Sequence, residues 1–229
     1  IYKIICPSLE TKNLLIKNNI FSENKLLVIK DPHINIKKII EKKLVNLDKK
    51  LILKKNIISI GRLTKQKNYI FLINAFKKIT DLDNNFHLTV IGEGEDRKII
   101  EEKIKELKIE EKVSLLGYQD NIYKFLKHAN CYFSTSIWEG PDLAMLDAAY
   151  LNIPIICSDC KSGRKEFINN GERGYIFKTN DMNSLINEFK KFLNEDKLIL
   201  KEKLIKSKKE VRNFTMFRYY INIKKILKN

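Results

Sequence analysis

The sequence predicts an α/β fold in which a parallel sheet carries helices on both faces. Short apolar runs alternate with segments of helical period, the rhythm of successive β-α units. No repeat of solenoid type interrupts that rhythm. Four of the apolar runs end in glycine with a charged or aromatic neighbour: Gly61-Arg62, Gly92-Glu93-Gly94, Gly117-Tyr118 and Trp138-Glu139-Gly140. In a parallel sheet the ligand lies outside the carboxyl ends of the strands, so these four ends are expected to face one crevice.

The elements follow in order. Residues 1–6 read as a buried strand, 10–18 as a short helix and 25–30 as a second strand. Asp31-Pro32 breaks the chain as a linker or hinge does. Residues 34–53, rich in Lys and Ile, are predicted helical. From Asn56 the pattern becomes regular. Strand 57–60 precedes helix 68–79, which buries Ile70, Leu72, Ile73 and Phe76. Strand 86–91 precedes helix 95–107, strand 112–116 precedes helix 121–128, and strand 131–134 leads into a loop. Helix 143–150 follows, with Leu143, Leu146 and Tyr150 on one face. Strand 153–158, helix 163–169 and strand 175–177 complete the sheet. Helices 182–194 and 197–210 come next, and residues 214–227 close the chain as an amphipathic helix.

The bulk properties bound the class. A chain of 229 residues, 44% hydrophobic, holds one sizeable core, or one domain with an appendage. It begins with Ile rather than Met, as a piece of a longer protein does. No apolar run approaches the roughly 18 residues of a membrane-spanning helix. The 44 Lys and Arg against 28 Asp and Glu leave a net charge of +16. Only six of those cations are Arg, and the Lys are scattered over helical faces among Ile, Asn and Glu. That distribution reads as a solvated surface that suits an anionic membrane face better than nucleic acid. Cys6, Cys131 and Cys157 lie in strand-like runs, where buried thiols are common. Cys157 and Cys160 form a C-x-x-C that lacks the following helix of a redox motif and the second pair of a zinc site. A cytoplasmic location is expected.

The stretch from Ser134 to Asp147 concentrates the chemistry. Glu139 in the loop and Asp147 on the second turn of the helix stand eight positions apart, with a helix N-terminus between them. Free N–H groups there suit a phosphate, and the carboxylates suit hydroxyls. Arg62 and Lys67, at another strand end, suit phosphate oxygens. Singly, each of these residues also reads as a solvated surface charge. Gly92-Glu93-Gly94 reads as a tight turn. His33, His87 and His128 stand isolated, without metal spacing.

Together the motifs resemble the nucleotide-sugar-binding half of a family 4 glycosyltransferase (glycosyl transferases group 1). The blocks are I-S-I-G-R-L-T-K-Q-K-N with L-I-N-A-F, L-T-V-I-G-E-G, V-S-L-L-G-Y, S-I-W-E-G-P-D-L-A-M-L-D-A, P-I-I-C-S-D and N-G-E-R-G-Y-I-F. The resemblance implies a Rossmann-like domain, one half of a two-domain GT-B architecture. It divides the chain into residues 1–30, the end of an acceptor-binding domain and the interdomain strand; 31–210, the donor-binding domain; and 211–229, a terminal crossover helix.

The resemblance also implies roles. Arg62 and Lys67 bind the donor diphosphate, and Glu139 lies near the donor sugar. Asp147 holds the ribose, and Leu143 and Ala144 offer backbone N–H groups to phosphate. Tyr118 and Ile122 line the base, and Gly61, Gly94, Gly140, Pro141 and Asp142 complete the donor site. The implied reaction moves a hexose or N-acetylhexosamine from a nucleotide-sugar, with UDP the expected nucleotide. The implied acceptor is a glycan or lipid-linked sugar, bound through an N-terminal domain, in envelope polysaccharide synthesis at the inner face of the membrane. No metal or other cofactor is expected.

Three residues depart from the family pattern. Asp147 stands where Glu is usual. Asp142 stands where Gly or Pro is usual; as an N-cap it competes for the phosphate's N–H groups, and its charge opposes a diphosphate. Arg164 stands where relatives often have Pro. The competing readings are a UDP-N-acetylglucosamine epimerase of the same fold and a non-catalytic nucleotide-binding or nucleic-acid-binding module.

Overall fold

The chain folds around a sheet whose neighbouring strands all run parallel, as a computed structural model describing residues 3–53, 55–140, 142–160 and 163–228 shows. The path begins with β1 (Ile4–Cys6), α1 (Leu9–Lys17) and β2 (Leu26–Val28). β1 and β2 pair in parallel, Ile4 beside Leu26, as a two-stranded sheet of their own. Ser8 caps α1 by accepting from the Thr11 N–H.

Next comes α2 (Ile36–Lys43), capped by Asn35. The predicted helix over 34–53 is therefore cut short. Of Leu44, Val45, Leu47, Leu51 and Ile52, only Leu47 is buried. Asn46 and Asp48 flank it, residue types that favour turns over helix interiors. Without a buried face, nothing holds a second stretch of helix in place.

The rest of the chain is β3 (Lys55–Ile60), α3 (Tyr69–Leu82), β4 (Phe86–Ile91), α4 (Arg97–Glu106), β5 (Val113–Leu115), α5 (Tyr123–Leu126), β6 (Cys131–Ser134), α6 (Leu143–Tyr150), β7 (Ile155–Ser158), α7 (Arg164–Ile168), β8 (Tyr175–Phe177), α8 (Met182–Asn194), α9 (Lys197–Val211) and α10 (Met216–Leu227). Six strands pair in the order β5-β4-β3-β6-β7-β8. Successive residues of a strand enter opposite layers, because side chains alternate across the pleat. Ile57, Phe133 and Ile156 join the layer of α3, α4 and α8, with Phe76, Phe86 and Phe189. Ile58, Tyr132 and Ile155 join the layer of α2, α5 and α6, with Ile39, Phe125 and Leu146. Burial on both faces explains why the strands read as continuous apolar runs. On α3 the predicted Leu72, Ile73 and Phe76 are buried, while Ile70 packs against the core only in part.

The order reverses at β3. The chain steps outward to β4 and β5, then returns to the other flank of β3 as β6. The loops after β3 and β6 therefore open side by side, at the place where parallel sheets present their crevice. The ends of the chain meet on the same body. Ile34 bridges Thr215 in parallel, its N–H donating to the Phe214 carbonyl at 2.8 Å. Lys30 pairs with Glu166, which also accepts from the Leu9 N–H at 3.0 Å. On α10, Met216, Phe217 and Tyr220 remain exposed.

Two glycines let the loops after β3 and β4 close on each other. Gly92 has φ +143, and a Cβ there would stand 1.9 Å from the Gly61 carbonyl oxygen. At Gly94 a Cβ would meet the Leu63 carbonyl oxygen at 2.3 Å. Gly94 thus serves loop-to-loop packing, and the Leu63 N–H donates across the same contact to the Glu93 carbonyl at 2.9 Å. Gly92→Ala is expected to cost roughly 2 kcal/mol or more in urea unfolding, because it combines a forbidden φ with a backbone clash; an unchanged midpoint would refute the close approach.

Candidate functional site

The loop after β3 is pinned by Leu63, which is fully buried, and its two cations diverge. Arg62 is exposed and has no ion pair with any described residue. Lys67 folds back over Gly61, where a Cβ would meet its Cε at 2.9 Å. The missing side chain at Gly61 is what lets the Lys67 stem cross.

The loop after β6 receives that lysine. The Ile137 N–H donates to the Gln66 carbonyl at 2.8 Å, and Thr135 Oγ1 donates to the Lys67 carbonyl at 3.0 Å. Gln66 Nε2 donates to the Trp138 carbonyl at 2.9 Å and to Glu139 Oε2 at 3.3 Å. These bonds bring the Glu139 carboxylate, 7% exposed, onto the Lys67 ammonium. Ser136 Oγ donates to the same carboxylate at 2.7 Å. Lys67 and Glu139, predicted separately as a phosphate cation and a sugar-side acid, are thus an ion pair. The carboxylate holds the place that an anionic ligand would take at Lys67.

Beneath this pair lies a second one. Asp142 is the N-cap of α6, accepting from the Met145 N–H at 3.2 Å, in the capping role the sequence suggests. Its carboxylate is closed off from solvent. It is buried, accepts from Ser134 Oγ at 2.9 Å and from the Tyr132 hydroxyl at 3.2 Å, and pairs with Arg164. Burial pushes the Asp142 carboxyl up, but the Arg164 and Lys67 charges and the Ser134 and Met145 hydrogen bonds outweigh it, so the group titrates below its ordinary range. The expected repulsion between Asp142 and a diphosphate is therefore answered inside the fold by Arg164. The sequence reading noted both residues as departures and missed that they are partners. The available signal was charge balance: a lone acid beside a buried strand end needs a cation, and one stands at the end of the next strand.

Asp147 is also internal. It is 4% exposed, with Oδ2 at 3.1 Å from His33 Nε2 and Oδ1 accepting from the Tyr123 hydroxyl at 3.3 Å. Burial and the Asp147 charge together hold the Tyr123 phenol well above its ordinary value. His33, read as isolated, thus has a partner, and it ties the Asp31-Pro32-His33 linker to α6. His87 likewise bonds Ser114 Oγ at 2.9 Å.

The remaining candidates line the rim. Tyr118 is 75% exposed, Ile122 packs partly against the α6 layer, and Ala144 is half-buried. Leu143, placed on one face with Leu146 and Tyr150, is exposed as the first residue of α6, whereas Leu146 is buried. Gly140 is exposed, with open space where its Cβ would stand. Pro141 lies outside the described residues. Glu139 and Gly140 line a cavity of about 380 Å³ together with Asp142, Arg164 and Phe167 and with Thr11 and Leu14 of α1. Among the described residues no group of three or more His, Cys, Asp or Glu is placed to hold a metal, and no helix is long and apolar enough to cross a membrane. All four cysteines are buried, and burial pushes the Cys157 thiol up to about 12, which opposes the thiolate that redox chemistry needs.

A family model described as glycosyl transferases group 1 matches residues 36–211. The chain belongs to this family. As a group 1 glycosyltransferase chain it is 44% identical, over 109 residues, to an uncharacterised glycosyltransferase of Methanocaldococcus jannaschii, which covers 48% of this chain and 27% of that one. It is 34% identical over 154 residues to the Campylobacter jejuni protein named N-acetylgalactosamine-N,N'-diacetylbacillosaminyl-diphospho-undecaprenol 4-alpha-N-acetylgalactosaminyltransferase, covering 67% of this chain and 40% of that one. Anabaena HepE, solved in complex with UDP, has the same fold with a TM-score of 0.82 at 15% identity, over 99% of this chain and 63% of that one. The chain thus spans well under half the length of these two relatives.

In this group 1 chain the buried pair makes a testable contribution to stability. The folded Asp142 titrates below its unfolded value, so the stabilisation is complete above the ordinary aspartate range and is lost as pH falls through the depressed folded value. Asp142→Asn leaves Arg164 buried without its carboxylate and is expected to cost about 3–5 kcal/mol at pH 7 in urea unfolding. The gap to wild type should narrow as the pH is lowered through that value; a gap that stays constant with pH would refute the assignment.

Proposed function

We propose that the chain is the nucleotide-sugar-binding part of a retaining, family 4 type glycosyltransferase of envelope polysaccharide synthesis. It would move a hexose or N-acetylhexosamine from a UDP-sugar to a glycan or lipid-linked acceptor. The observation that carries this is the meeting of Lys67 and Glu139 at the sheet's switch point, with exposed Arg62 in the same loop as Lys67. A diphosphate entering the crevice meets Arg62 first and takes Lys67 from Glu139. The released carboxylate then faces the sugar. Arg62 and Lys67 neutralise the charge that grows on the leaving diphosphate, which is transition-state stabilisation by fixed cations. The Leu143 and Ala144 N–H groups at the start of α6 take a phosphate oxygen. Exposed Tyr118 receives the base, and Asp147 receives the ribose once one of its oxygens is released from His33 or Tyr123.

The curated relatives support the substrate class. The Campylobacter jejuni relative is named for transfer to an undecaprenol-linked sugar, and Anabaena HepE was solved with UDP. On this reading residues 1–30 end an acceptor-binding domain, 31–210 form the donor domain, and α10 crosses back to that first domain with its exposed Met216, Phe217 and Tyr220. The acceptor binds through that domain, the Lys-rich surface attracts the anionic inner face of the membrane, and transfer needs no metal.

Calorimetry on the chain with UDP in the presence of a chelator tests the reading. Binding is expected, and Arg62→Ala should weaken it about tenfold or more, the loss of one charge-assisted contact. A folded chain that binds no nucleotide with or without divalent metal would overturn the reading.

A further inference from the structure

Glu139 is held by more than Lys67. The Arg164 side chain is 1% exposed and enters the space under the α6 N-terminus from the first residue of α7. Its guanidinium donates to Ser158 Oγ at 2.9 Å, to Ser136 Oγ at 3.3 Å and to Ser134 Oγ, and pairs with Asp142. One planar fork therefore binds together the end of β6, the loop after it, the end of β7 and the start of α6. That same guanidinium lies 3.6 Å from Glu139 Oε1. Ser136 lies between the two: its Oγ accepts from Arg164 and donates to Glu139 at 2.7 Å. A hydroxyl has one proton, and the guanidinium, which can only donate, turns that proton toward Glu139.

We propose that Arg164 is a positioning residue for the sugar end of the site. It fixes the Glu139 carboxylate after Lys67 has been drawn away to the diphosphate. The two cations divide the work by burial. Lys67, 17% exposed, stands where a ligand reaches it, whereas Arg164 is sealed in and stays. Asp142 balances the guanidinium's charge at contact distance, so Arg164 acts on Glu139 through geometry more than through net charge. A lysine would supply the charge without the fork, and so would not bridge the serines and Asp142 together.

This inference rests on the nucleotide-sugar reading and is tested by comparing ligands with and without the sugar. Calorimetry is run on wild type, Arg164→Met and the double variant Asp142→Asn/Arg164→Met. The ligands are UDP, UDP-N-acetylglucosamine and UDP-N-acetylgalactosamine. The single variant strands a buried carboxylate, and its Tm should fall by at least about 6 °C. The double variant removes both charges and should regain most of that loss. In both variants the affinity for a sugar nucleotide should fall about tenfold relative to the affinity for UDP. Equal weakening of all three ligands, or a ratio unchanged for both sugar nucleotides in the refolded double variant, would overturn the positioning role while leaving the donor site intact. A folded wild-type chain that binds none of the three would overturn the donor-site reading itself, and the positioning role with it.

Discussion

Ile57 lies beside Cys131 and Ile58 beside Tyr132, and this parallel pairing of β3 with β6 is the constraint from which the site follows. Nothing local brings Lys67 to Glu139; 72 residues of two complete β-α units separate them. The sheet closes that distance by returning the chain to the open flank of β3. Once the strands are paired, the following loops must share one edge. The Ile137 N–H bond to the Gln66 carbonyl and the Thr135 hydroxyl bond to the Lys67 carbonyl then lock the loops in register. Gly92 and Gly94 let the neighbouring loop close on Gly61 and Leu63. Sheet order, loop register and three glycines are therefore one device for holding a cation against an acid.

Electrostatics divides the site into a wet layer and a dry layer. In the wet layer, Arg62 is open and Lys67 is near the surface, so both respond to an anion arriving from solvent. The dry layer contains Asp142 and Arg164, each sealed from water, with four hydroxyls around them. Taking such a pair out of water costs much of what its attraction returns, so its worth lies in specifying one arrangement. Here the arrangement places the start of α6 and the Glu139 loop relative to each other.

Periodicity read the elements well where burial is continuous. β4 (Phe86–Ile91), β6 (Cys131–Ser134), α6 (Leu143–Tyr150) and α8 (Met182–Asn194) stand where their apolar patterns predict. The extended helix over 34–53 failed because Leu44, Val45 and Ile52 carry a helical pattern with no layer to pack on. The site divided in the same way. Motif spacing brought Arg62, Lys67, Glu139 and Asp147 into view, since each sits at a strand end or helix start. Their partners were hidden because they come from distant segments: His33 reaches Asp147 across 114 positions, and Arg164 reaches Asp142 across 22. A sequence pattern reports which face a residue takes, and it is silent on which charge will neutralise it. That was the information needed to see Asp142 as an internal residue.

The central claim is that a diphosphate occupies the crevice between the β3 and β6 loops and displaces Glu139 from Lys67. Amide chemical shifts of the labelled chain, followed by NMR during a UDP titration, test it most directly. The account predicts that the largest changes fall on Gly61, Arg62, Lys67, Glu139, Gly140, Leu143 and Ala144, while α8 and α9 stay still. Changes centred on α8, near Asn187 and Lys191, with the two loops unmoved, would contradict it.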